Sequence, residues 1–145
     1  MTILSDKEIC DHIEEGKLNI ISFEPSCLNP AGYDLRSNDT VTIKPGQFRL
    51  VATVECIHVG LGLLASLHIR SSLAREGVIG SFAAVDPGFR GQLTLNLRNE
   101  GQDAVTIRAG ERIVQIVFHR LGQPAMRGYD GAYQDSKGVV RSKRG

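Results

Sequence analysis

Arg70-Ser71-Ser72-Leu73-Ala74-Arg75 gathers two guanidiniums and two hydroxyls into one short run. Placed just after a strand, such a run can join exposed backbone N–H groups around phosphate oxygens. Its bland reading is a polar loop leading into a helical turn. Val85-Asp86-Pro87-Gly88-Phe89-Arg90-Gly91 puts a carboxylate before a tight turn and an aromatic ring three residues later. An acid fixed at a strand end can orient and deprotonate a water, and a nearby ring can stack on a sugar. Asp-Pro-Gly is also ordinary turn chemistry, so neither segment alone decides a function.

Other residue types carry less. Gln115 sits in an apolar strand and reads equally well as a structurally satisfied amide, while His58, His68 and His119 lack ligand spacing. His12-Ile13-Glu14 mimics the H-x-E of zinc deaminases, but no P-C-x-x-C follows it. Cys10, Cys27 and Cys56 are an odd, widely spaced set without a C-x-x-C pair, which predicts reduced thiols in a cytoplasm. The 17 basic and 16 acidic residues nearly cancel, so no global field draws in nucleic acid or an anionic membrane. The apolar stretch from Val59 to Leu67 is interrupted by Gly60, Gly62 and Ser66 and is too short to span a bilayer. A cytoplasmic protein without nucleic-acid or membrane partners is the expectation.

The elements that must hold these residues read mostly as strands. A chain of 145 residues suits one domain, and 16 glycines between short apolar runs point to many short strands. Ser5-Asp6-Lys7-Glu8 has capping-box spacing and predicts one short helix over 6–15. Thr40 to Ile43, the turn Lys44-Pro45-Gly46, and Phe48 to Glu55 read as a hairpin. Leu63 to Ile69 follows as a strand, and Gln92 to Arg98 alternates with Leu93, Leu95 and Leu97 facing one way. Ala104 to Ile107 is a short strand, and Arg112 to His119, apolar on both faces, is predicted to be central. From about residue 122 to 145 the segment looks too polar to pack and reads as a flexible tail, with Arg141, Lys143 and Arg144 a solvated basic end.

Taken together, Ala31 to Leu35, the Arg70 run, Gly77 to Gly91 and Gly110 to Gln115 resemble four ordered motifs of the dUTPase family. The resemblance runs from about Asn29 to His119. The chain ends, Ile3-Leu4-Ser5-Asp6 and Tyr129 with Tyr133-Gln134, resemble the sister dCTP deaminases. The resemblance implies an all-β, distorted antiparallel jelly-roll-type barrel assembled as a homotrimer with sites between subunits. It also implies hydrolysis of dUTP to dUMP and pyrophosphate, which would limit uracil in DNA and supply dUMP for thymidylate synthesis. Asp86 would activate the water. Arg70, Ser71, Ser72, Arg75 and Gln115 would hold a triphosphate carrying magnesium, which Asp34 would support through water. Phe89 would press on the deoxyribose, and main-chain groups of a hairpin between Val78 and Val85 would read uracil with Asn96 nearby. Tyr129 and Gln134 would contact substrate from the closing segment. The deaminases carry a proton-shuttling glutamate ten residues after the turn aspartate, where this chain has Asn96. An amide cannot accept and return a proton, so hydrolysis leads. The alternatives are a dCTP deaminase, mono- or bifunctional, and a non-catalytic nucleotide-binding relative.

Overall fold

The computed structural model describes residues 2–145. β1 (Thr2–Ile3) leads into α1 (Asp6–Glu14), where Ser5 Oγ accepts from Glu8 N at 3.2 Å and the Glu8 carboxylate reaches back to Ser5 N. The reciprocal cap satisfies backbone donors that the first helical turn leaves open, and Ile9 anchors the helix in the core. β2 (Leu18–Ile21), a single 3-10 turn at Pro25–Cys27, β3 (Leu28–Asn29) and β4 (Gly32–Arg36) follow. After β5 (Val41–Ile43) comes the long β6 (Phe48–Val59), then β7 (Leu63–Ile69), α2 (Ser71–Arg75), β8 (Val78–Ile79), β9 (Arg90–Asn99), β10 (Val105–Ile107) and β11 (Arg112–Arg120).

Every named strand pair is antiparallel. The strand expected to be central is so: β11 pairs with β7 from Val114 to Arg120, with β4 from Arg112 to Ile116, and with β1 at its end. A second sheet runs β2-β6-β9-β8, and β5 and β10 form a separate ribbon. Leu95, Leu97, Ile116 and Phe118 are fully buried in one core with Tyr33, Leu35 and Ile57.

The expected hairpin between the Thr40 and Phe48 segments does not form. β5 leaves the turn to pair with β10, in the register Val41 to Ile107 and Ile43 to Val105, while β6 pairs with β2 and β9. Burial decides: Val41, Ile43, Val105 and Ile107 share an inward face, and Thr42 and Thr106 hydrogen-bond outside at 2.9 Å. The expected hairpin from Val78 to Val85 is likewise absent. Val78 and Ile79 pair with β9, and the chain then crosses as a loop to a lone bridge between Val85 and Ala65 of β7.

The polar closing segment folds back onto β9 instead of standing apart. Ser136 O accepts from Gln92 N at 2.9 Å, Gly138 N donates to Gln92 Oε1 at 2.6 Å, and Val140 N donates to Thr94 Oγ1 at 3.0 Å. Its binding uses backbone amides and the side chains of another strand, which composition does not reveal. Among the described residues no helix is long and apolar enough to cross a membrane.

Candidate functional site

β9 builds one wall of the site. Its inward row fills the core, and its outward row, Gln92, Thr94 and Asn96, faces a cavity of about 680 Å³. Phe48 and Leu50 of β6, the loop residues Ser81 to Val85, the turn residues Asp86 and Phe89, and Tyr129 and Tyr133 complete most of the lining. The loop presses close to β9: a Cβ on Gly80 would meet the Phe82 ring at 2.3 Å and Asn96 O at 2.9 Å, so only glycine fits there.

The Asp86 turn is braced from the closing segment. Gln134 Nε2 donates to Gly88 O at 2.9 Å and to Tyr129 O at 3.0 Å, and its Oε1 accepts from Arg90 N at 2.7 Å. Gly88 has φ +86, and a Cβ there would strike Gly128 Cα at 2.5 Å. Phe89 is buried and packs edge-on to Tyr129, with ring centroids 5.8 Å apart. Asp86 itself is exposed and lies between the main cavity and a second one of about 620 Å³ that also touches Arg127 and Asp130. On the main cavity wall, Ser81, Asp86 and Asn96 are the polar side chains without a hydrogen-bond partner among the described residues.

Asp86, Phe89, Asn96 and Tyr129 therefore face one space, while Gln134 sits behind the turn. The expected phosphate group lies elsewhere on the chain. Arg70 immediately precedes α2 without a side-chain capping bond, Ser71, Ser72 and Arg75 are exposed on that helix, and Gln115 of β11 pairs in register with Asp34 of β4. None of these lines either cavity.

Asp34 is 2% exposed, and its carboxylate accepts from Asn29 Nδ2 at 2.8 Å, meets Arg70 Nε at 3.2 Å and has Arg112 Nη1 at 3.7 Å. The water-bridged magnesium contact expected from the sequence would compete with these three partners for the carboxylate. Among the described residues no three His, Cys, Asp or Glu side chains converge on a metal-sized site.

Sequence reasoning missed Phe82, Ser136 and Val140 of the cavity lining. Phe82 lies in a loop without periodicity, and the other two belong to the segment read as a tail. It also missed a buried cluster in which Glu55, 0% exposed, accepts from Arg36 N at 2.8 Å, Arg36 Nε at 3.1 Å and Tyr33 Oη at 3.3 Å. Burial pushes the Tyr33 phenol well above its ordinary range, so it stays a donor.

The family model for dCTP deaminase-like proteins matches residues 36–121. The chain belongs to the dCTP deaminase-like family. It is 45% identical over 137 residues to a protein of Thermococcus kodakarensis named dCTP deaminase, covering 84% of this chain and 88% of that one. An Aquifex aeolicus protein named dCTP deaminase, dUMP-forming, is 35% identical over 169 residues, covering 97% of this chain and 94% of that one. A solved dUTPase of Staphylococcus bacteriophage 80alpha superposes with a TM-score of 0.62 at 19% identity, covering 79% of this chain and 97% of that one. That likeness shows the fold, an all-β, distorted jelly-roll-type architecture.

These relatives correct the leading functional expectation. dUTP hydrolysis as the leading expectation is overturned, because likeness at 35–45% identity over 84–97% of the chain is to proteins named dCTP deaminase, while the dUTPase is alike in fold alone. Asn96 is a single position, and the likeness to deaminases extends over most of the chain.

Proposed function

We propose that this protein deaminates dCTP. Water adds to C4 of the cytosine ring, the C4–N4 bond breaks, and ammonia leaves with dUTP as the other product. The observation that carries the reading is the 45% identity over 137 residues with a relative named dCTP deaminase. The cavity supports it: it is largely apolar, as small-molecule sites are, and keeps an unpaired carboxylate at its lip.

Deamination needs a group that takes a proton from the attacking water and returns one to the departing amine. Asn96 cannot do so. Among the described residues Asp86 is the only carboxylate on the cavity wall, and we assign the duty to it. Phe89 seats the deoxyribose, and Tyr129 and Gln134 act by holding the turn that carries both residues. Arg70, Ser71, Ser72, Arg75 and Gln115 bind the triphosphate, with magnesium arriving on it as part of the substrate. These five lie away from the cavity of their own chain, which fits a neighbouring copy supplying them; that the assembly is a homotrimer is what the family resemblance implies.

A second reading extends the first. The Aquifex aeolicus relative, which matches 97% of this chain, is named dUMP-forming, and the exposed Asp86 can also orient a water for attack on a phosphate. The net reaction would then give dUMP, ammonia and pyrophosphate from dCTP and two waters. Chromatography of dCTP incubated with the protein and magnesium tests both. dUTP alone supports the first reading, dUMP with pyrophosphate supports the second, and unchanged dCTP overturns both.

A further inference from the structure

We propose that the Asn96 side-chain amide reads the pyrimidine at its exocyclic position and accepts cytosine and uracil alike. This rests on the cavity being the nucleotide site. The outward row of β9 shows which amides are structural. Gln92 is spent at both ends: Nε2 donates to Thr53 O at 2.6 Å and Oε1 accepts from Gly138 N at 2.6 Å. Thr94 Oγ1 accepts from Val140 N at 3.0 Å. Asn96 comes next on the same face, lines the same cavity, and has no hydrogen-bond partner among the described residues.

The strand can satisfy an asparagine where one is structural. Asn99 is fully buried, donates to Ile43 O at 2.9 Å and to Asp103 O at 2.7 Å, and accepts from Gly101 N at 2.8 Å. Asn96 instead opposes Leu50 across the sheet, and Phe48 and Phe82 line the same cavity. A polar group against apolar walls lowers its free energy by pairing with whatever enters.

The pairing has a definite chemistry. An amide offers a donor and an acceptor side by side in one plane. Cytosine presents an N4–H donor beside the N3 acceptor, and uracil presents the O4 acceptor beside an N3–H donor. A half-turn about the terminal torsion, which is soft in asparagine, exchanges the two ends of the amide. Two hydrogen bonds form in either case, so the substrate and the product of deamination compete for this cavity on nearly equal terms. An ionised carboxylate, an acceptor only, matches neither base at both positions.

The test compares the parent with Asn96→Leu, a change that suits an apolar wall on a β-strand. Calorimetry uses the α,β-imido triphosphates of deoxyuridine and of the 2-pyrimidinone deoxynucleoside, which lacks the 4-substituent; dCTP is followed by KM for ammonia release. The parent should prefer the uracil analogue by about fivefold, the worth of one neutral hydrogen bond. Asn96→Leu should bind the uracil analogue about tenfold more weakly, raise KM for dCTP comparably, lose the preference over 2-pyrimidinone, and melt within a few degrees of the parent. An unchanged preference in the variant overturns the role of Asn96. A parent that binds neither analogue overturns the nucleotide reading and the inference with it, whereas tight uracil binding without ammonia release overturns deamination alone.

Discussion

Asp86 and Phe89 can be placed together from the sequence because they belong to one turn, and both line the cavity. Asp-Pro-Gly-Phe is a turn that sets a carboxylate and a ring at fixed separation whatever the tertiary fold. Glu55 was not legible: in a run of alternating strand residues nothing marks it as the buried acceptor for Arg36 and Tyr33, residues 19 and 22 positions away. Asn96 cannot move a proton, which places hydrolysis ahead of deamination in the sequence, but Asp86 on the same cavity wall offers a carboxylate that can. If Asp86 carries the proton, Asp86→Asn should keep nucleotide binding and lower the turnover of dCTP by about 10²- to 10⁴-fold. Steady-state rates within a few-fold of the parent would make Asp86 a turn residue and nothing more.

Elements with local signals were readable and those with remote partners were not. The capping box of α1 and the leucine row of β9 follow from spacing alone. The pairing of β5 with β10 joins residues more than sixty positions apart, and no turn signal announces it. The closing segment is attached in the same remote way, and its clasp on β9 includes an exposed ion pair between Arg90 Nε and Asp135 at 2.9 Å. The Arg90 guanidinium holds the Asp135 carboxyl below its ordinary value of 3.8. The folded chain therefore binds fewer protons there than the unfolded one, so this contribution is complete above about pH 3.8 and is lost as pH falls through the lowered value. Amide resonances of Gly138 and Val140 should shift toward those of an unattached chain in that acid range, and Asp135→Asn should show part of the shift at neutral pH. Resonances indifferent to both changes would place the clasp entirely in the Gln92 and Thr94 contacts.

At the scale of the molecule, the residues proposed to meet base and sugar, Asp86, Phe89 and Asn96, line a cavity that Arg70, Arg75 and Gln115 do not reach. A trimer that brings α2 of one copy to the cavity of the next should sediment at three chain masses. Mixing inactive Asp86→Asn with inactive Arg75→Ala chains should recover activity, since some mixed interfaces pair an intact cavity with an intact α2. A single-chain mass with full activity would show that the two groups meet within one subunit. The deamination claim itself is tested most directly by ammonia release from dCTP, followed enzymatically in the presence of magnesium and set beside pyrophosphate release from dUTP. The account predicts steady ammonia production from dCTP; pyrophosphate from dUTP with no ammonia from dCTP would contradict it.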